Sequence, residues 1–97
     1  MTATLSKVAP RAAKVLFENS RVRVLRIRLK KGETLPMHSH PPNFVYALRS
    51  TNFRSIPSRG RARRVKMSKG ESGYSSGSTH AVESLSDSVI LQIELKR

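Results

Sequence analysis

The segment spanning residues 21–30 constrains the fold most. In Arg21-Val22-Arg23-Val24-Leu25-Arg26-Ile27-Arg28-Leu29-Lys30 the apolar side chains fall at 22, 24, 25, 27 and 29, and the basic ones take the remaining positions. Successive side chains leave a strand on opposite faces, so this two-residue period specifies a β-strand and excludes an amphipathic helix. Its phase slips once, between Val24 and Leu25, which predicts a β-bulge that bends the strand while keeping its apolar side inward. The basic phase forms an outer face, read either as a solvated strand surface or as a platform for nucleic acid.

The rest of the chain repeats the theme. Short strands are expected around Lys14 to Phe17, at Phe44-Val45-Tyr46-Ala47-Leu48-Arg49, from Phe53 to Ile56 and over residues 79–85, while the basic run Arg59-Gly60-Arg61-Ala62-Arg63-Arg64-Val65-Lys66 is either a phosphate-contacting segment or, with Arg63, Val65 and Met67 alternating, a charged edge strand. The last strand, Val89-Ile90-Leu91-Gln92-Ile93-Glu94-Leu95-Lys96, is predicted to turn 89, 91, 93 and 95 inward. Between them lie Glu18-Asn19-Ser20, Lys31-Gly32, Ser50-Thr51-Asn52 and a Gly/Ser-rich stretch over 69–79, read as turns. That stretch lacks the Gly-Lys-Ser/Thr ending of a phosphate-binding loop. With no convincing helical period and no repeat, seven or eight short strands describe an all-β sandwich or small barrel.

At 97 residues there is one domain, predicted over 14–97 and preceded by a flexible basic tail over 1–13. Lys7, Arg11 and Lys14 give that tail a faint likeness to a transit peptide. No cysteine is present, which excludes disulfides, thiolate metal sites and cysteine nucleophiles. No apolar run is long enough to cross a bilayer as a helix, so a soluble, cytoplasmic protein without membrane contact is expected. Nineteen basic against six acidic residues give a formal charge of +13, which predicts salt-dependent, non-specific adhesion to polyanions.

Against this background the three histidines stand out. His38 and His40 are one residue apart, so on a strand both project to the same side, and His80 is the only other imidazole. Together they can supply three nitrogen ligands to a divalent transition metal, with Fe, Mn, Zn, Ni and Cu left undistinguished. Asn43, after Pro41-Pro42, is either an oxygen donor beside the site or an exposed turn residue. If Phe44, Tyr46 and Leu48 face inward, Phe44 and Tyr46 line the pocket; a plain core tyrosine is the other reading of Tyr46. Glu83 lies on the face opposite His80 and is a poor ligand.

Gly32, five residues, then His38-Ser39-His40 resembles the first motif of the cupin superfamily, and Gly77-Ser78-Thr79-His80 is similar to the glycine and histidine of its second. The resemblance runs from about Val15 to Leu95. It departs from the motifs where Phe44 or Val45 stands at the glutamate position, Ser75 replaces a proline, Ser84 replaces an asparagine and Gly70 falls one residue close. The fourth ligand is therefore open. The resemblance implies an antiparallel jelly-roll barrel, a homodimer through strand exchange or sheet packing, and metal-dependent chemistry of the dioxygenase or isomerase kind.

Three neutral imidazoles leave the full charge on a divalent ion, which favours a small anionic ligand. No serine is placed with an acid to orient a histidine, so no nucleophile triad is available. Two other readings stay open: a basic barrel that binds nucleic acid, and a metal-free pocket that binds or senses an organic molecule.

Overall fold

The computed structural model describes residues 5–96, which form one short helix and nine antiparallel strands. Helix α1 (Leu5–Val8) leads into β1 (Ala13–Glu18), β2 (Val22–Leu29), β3 (Thr34–His40), β4 (Asn43–Ala47) and β5 (Thr51–Pro57). Then follow β6 (Arg63–Met67), β7 (Ser72–Ser75), β8 (Ser78–Ser84) and β9 (Ser88–Leu95). One sheet has the strand order β1-β2-β9-β4-β7 and the other β3-β8-β5-β6. The two sheets face each other as a jelly-roll barrel, which fits the all-β sandwich or small barrel expected from the alternating patterns and the architecture that the resemblance implies.

Local chemistry sets the corners. Between β1 and β2 the Asn19 side chain accepts hydrogen bonds from the backbone N–H groups of Arg21 and Val22 at 2.8 and 2.9 Å, replacing backbone partners in the turn. Before β3, Gly32 adopts a positive φ of 90° and donates its N–H to the Ser84 carbonyl, tying the turn to the end of β8.

The apolar core lies between the sheets. Ile27 and Leu29 come from one sheet and Leu35 and Val82 from the other, with Leu5 and Ala13 filling one end. Of the expected flexible tail, residues 1–4 lie outside the described residues, whereas Leu5 is 1% exposed and residues 5–13 pack on the barrel. A single helical turn is too short to announce itself as a period, but Leu5, Val8, Ala9 and Ala12 give it an apolar side.

Strands β4 and β9 present the opposite phase from the one expected, and β2 does so only at its start, its Leu25, Ile27 and Leu29 facing inward as expected. The bulge is in β1, where Val15 pairs with Leu25 and Phe17 with Val24, leaving Leu16 as the extra residue. β2 pairs with β9 residue for residue, from Val22–Leu95 to Leu29–Ser88. Its inner positions are Arg23, Leu25, Ile27 and Leu29. In β9 the inner phase is Ser88, Ile90, Gln92 and Glu94, not 89, 91, 93 and 95. In β4, Asn43 and Ala47 are buried while Phe44 and Tyr46 are exposed. One cause explains these differences: the outer face of this sheet is itself apolar, so apolarity did not mark the inside. The stretch over 69–79 also contains a strand, β7, which pairs with β4.

Leu5→Ala is expected to lower stability by roughly 2 to 4 kcal/mol through the cavity it opens. Urea unfolding checks this; a loss under about 0.5 kcal/mol would mean that the segment is peripheral.

Candidate metal centre

Strand geometry brings the three histidines together. His38 on β3 pairs directly with His80 on β8, which places their side chains next to each other on one face. Between Leu35–Val82 and His38–His80, β3 holds two residues where β8 holds one. This bulge at Pro36 and Met37 lets Leu35, His38 and His40 all turn inward. The ring centroids are 4.5 Å apart for His38 and His40, 4.8 Å for His38 and His80, and 5.3 Å for His40 and His80. One nitrogen from each ring falls within 4.8 Å of the other two.

Each ring is held through Nδ1. His38 donates Nδ1–H to the Pro36 carbonyl at 2.7 Å, and His40 donates to the Glu94 carboxylate at 3.1 Å. Both acceptors lack a proton to give, which fixes the tautomer and leaves Nε2 as a bare lone pair. His80 Nδ1 lies 2.6 Å from the Ser55 hydroxyl. The Nε2 atoms of His38 and His80 are buried and have no hydrogen-bond partner among the described residues. Buried nitrogens without partners cost stability unless something coordinates them, and Nδ1 partners of this kind orient metal-binding histidines. The donor set therefore fits a transition-metal ion.

Behind His40 runs a line of charge that the sequence did not announce. Glu94 is 2% exposed and pairs across the sheet with Arg23 on β2 and Asn43 on β4. Its carboxylate lies 3.5 Å from Arg23 and 3.1 Å from His40, and Arg23 continues to Glu18 at 3.0 Å. The Arg23 and Lys96 hydrogen bonds hold the Glu18 carboxyl down at about 2. Gln92 lies 3.2 Å from His40 Nδ1 and donates to Asn43 Oδ1 at 3.1 Å, while Asn43 donates to the Pro41 carbonyl. Asn43 is thus a buried brace, neither an exposed turn residue nor a free donor. The signal for this network was the pair Gln92 and Glu94, two polar residues sharing a phase within an apolar strand.

The rings open onto a cavity of about 600 Å³ between the sheets. Arg61 and Arg63 line it on the β6 side, and Arg63 pairs across from Ser55, the residue that holds His80. Phe44 and Tyr46 do not line it: they lie on the far side of β4, because the inward phase belongs to Asn43, Val45 and Ala47. Glu83 points outward and forms an ion pair with Arg54 at 3.3 Å.

Burial pushes the His80 imidazole down to about 4, and the adjacent His38 and His40 rings act in the same direction. His38 is also lowered, by burial above all, with the Pro36 carbonyl opposing. The folded state therefore resists protons that the unfolded chain accepts below about 6.5. This stabilisation is complete above that value and is lost as pH falls from it toward 4. The urea midpoint is expected to be lower at about pH 5 than at pH 7.5, with a smaller difference in His80→Gln. Equal midpoints would show that the rings protonate freely.

No protein-family model and no curated protein matches the sequence, whereas solved structures match the fold. A cupin domain from Bordetella pertussis Tohama I superposes with a TM-score of 0.78 at 24% identity, covering 88% of this chain and 92% of that one. A cupin superfamily protein from Desulfitobacterium hafniense DCB-2 gives 0.67 at 14% identity, covering 88% and 76%. An oxalate decarboxylase variant from Bacillus subtilis gives 0.61 at 21% identity, covering 80% of this chain but 22% of that longer one. Across these comparisons the two facing sheets are shared over most of the chain, and its fold is that of the cupins.

Proposed function

We propose that the protein binds one divalent transition-metal ion through Nε2 of His38, His40 and His80, and that the bound ion receives a small anionic molecule from the cavity. The observation that carries this reading is the convergence of three imidazoles whose Nδ1 atoms are all engaged, with the buried Nε2 atoms of His38 and His80 left without a partner among the described residues. Three protein donors leave coordination positions open, which suits ligand binding or catalysis better than a purely structural ion. Arg61 and Arg63 favour an anion by placing permanent positive charge on the cavity wall, and a guanidinium can hold a carboxylate through two parallel bonds.

When bound, the ion would act as a Lewis acid or, if redox-active, as a site for dioxygen chemistry, consistent with a dioxygenase or isomerase. The chain's own contribution is to orient. Glu94 fixes the His40 tautomer, Ser55 holds His80, and Asn43 and Gln92 brace the floor beside them. The apolar walls supplied by Leu35, Phe53 and Val82 limit the water that competes for a ligand.

Metal analysis of protein purified without a metal-binding tag, with titration by Mn²⁺, Fe²⁺ and Zn²⁺ in turn, is expected to give one equivalent per chain. His38→Ala and His80→Ala should abolish it, and Glu94→Gln should weaken it by about 10- to 100-fold through loss of the His40 orientation. Sub-stoichiometric binding that ignores these substitutions would remove the proposal. A polyanion interaction that survives the histidine changes and weakens steeply with salt would instead favour the nucleic-acid reading, for which the arginine-rich β6 edge is the support.

A further inference from the structure

We infer that the end of the barrel opposite the histidines holds a second binding site, a basic cleft that takes a compact oligophosphate, a small anion of several linked phosphate groups. β5 locates the two ends: its first residue, Thr51, pairs with Met67 on β6, whereas its last, Pro57, pairs with His80. Around the Thr51 end, the loops after β2, β4, β6 and β8 enclose a cleft of about 1120 Å³. Lys31 comes from the first of these loops, Arg49 from the second and Lys69 from the third, and Lys66 joins them from β6. All four are exposed. Thr51 and Met67 form the partition between this cleft and the metal cavity.

Like charges gathered in one place repel unless a counter-charge answers them. The carboxylates of the chain are engaged elsewhere. Glu18, Glu83 and Glu94 form ion pairs with Arg23, Lys96, Arg54 and His40. The other three acids are turned to backbone: Glu33 accepts the Lys30 N–H at 2.7 Å, Glu71 that of Ser68 at 2.6 Å and Asp87 that of Lys31 at 2.9 Å. Among the described residues, none of the four cations of the cleft is ion-paired. The loops nevertheless hold these cations together, because they are fastened to one another. Gly70 donates to the Ala47 carbonyl and Ala47 to that of Glu71, while Leu85 donates to the Asn52 carbonyl and Gly32 to that of Ser84. The Thr51 hydroxyl holds the Arg49 carbonyl at 3.0 Å. An incoming anion therefore finds the backbone of its site already in place.

The lining decides the class of ligand. Lysine ammonium groups, an arginine fork and the hydroxyls of Ser50, Ser68 and Ser86 all donate to oxygen anions. A single carboxylate or phosphate engages one or two of the cations, whereas linked phosphates present enough negative oxygens in this space to answer all four. The volume is close to the roughly 300–1,000 Å³ of small-molecule sites. No aromatic side chain lines the cleft among the described residues, so a nucleobase has nothing to stack on, which argues against a single strand of nucleic acid.

Isothermal titration of the full chain with inorganic tripolyphosphate tests this at about 0.15 M salt, where diffuse attraction is screened. One equivalent is expected to bind with a Kd below about 100 µM, and inorganic phosphate about 10-fold more weakly or worse. Arg49→Gln and Lys69→Gln should each weaken tripolyphosphate binding about 5-fold or more, and if one of them unfolds the other reads the same site from a different loop. Arg21→Gln, before the far end of β2, and His80→Ala, at the far end of β5, should leave the binding unchanged. No binding at about 1 mM tripolyphosphate overturns the inference, as does binding that withstands both cleft substitutions. An equal loss in Arg21→Gln would reduce the effect to diffuse charge, and a loss in His80→Ala would move the anion to the metal cavity; either result overturns it too. So does a single-stranded oligonucleotide that binds more tightly than tripolyphosphate.

Discussion

A carboxylate inside a small barrel is tolerable only when its charge is answered nearby, and the contact between Glu94, Arg23 and His40 meets that condition. Burying Glu94 forces the phase of β9, because moving the strand by one residue would carry the carboxylate outside and bring Ile93 in. The phase of β9 in turn fixes β2 and β4, its neighbours on either side. A single ion pair thereby dictates which face of the sheet looks inward, places Asn43 and Gln92 beside His40, and leaves the apolar phase on the outside. In β4 and β9 hydrophobic burial alone would have preferred the reverse phase, whereas in β2 the inward Leu25, Ile27 and Leu29 satisfy both demands.

The two sheets contribute different parts of the site. The four-stranded sheet brings His38 and His80 together by direct pairing, and the opposite sheet supplies the acid that orients His40. His40 lies at the end of β3, just before the chain crosses to β4 through Pro41 and Pro42. Gly77 explains why that crossing can be so tight: a Cβ there would stand 3.0 Å from the His40 carbonyl oxygen, and its φ of 122° suits only glycine. The glycine seen three residues before His80 thus serves His40, from the other side of the turn.

What the sequence disclosed follows from the physics of each residue type. The histidines were legible because they are few, and because two residues separated by one share a strand face whatever surrounds them. The all-β architecture was legible from turn residues and two-residue periods. The inward phases of β4, β9 and the start of β2 were not, because alternation tells which residues share a face but not which face is buried. That choice is made by partners distant in sequence, here Arg23 and Glu94, seventy residues of chain apart in order of magnitude. Leu5 was missed for a related reason: one apolar residue on a single helical turn carries no periodic signal, and only the open end of the barrel gives it a place.

The bulge at Pro36 and Met37 also explains a number. Gly32 is anchored by its bond to Ser84, and His38 by its pairing with His80, so the chain between them must span a fixed distance while carrying Leu35 and His38 to the same side. Regular alternation cannot do both across three residues, and the extra residue reconciles them. Shortening this stretch by one would force a choice between plugging the barrel with leucine and presenting an imidazole to its interior. The five-residue interval between glycine and histidine is therefore a measured length of chain, set by the need to seal and to ligate within one strand.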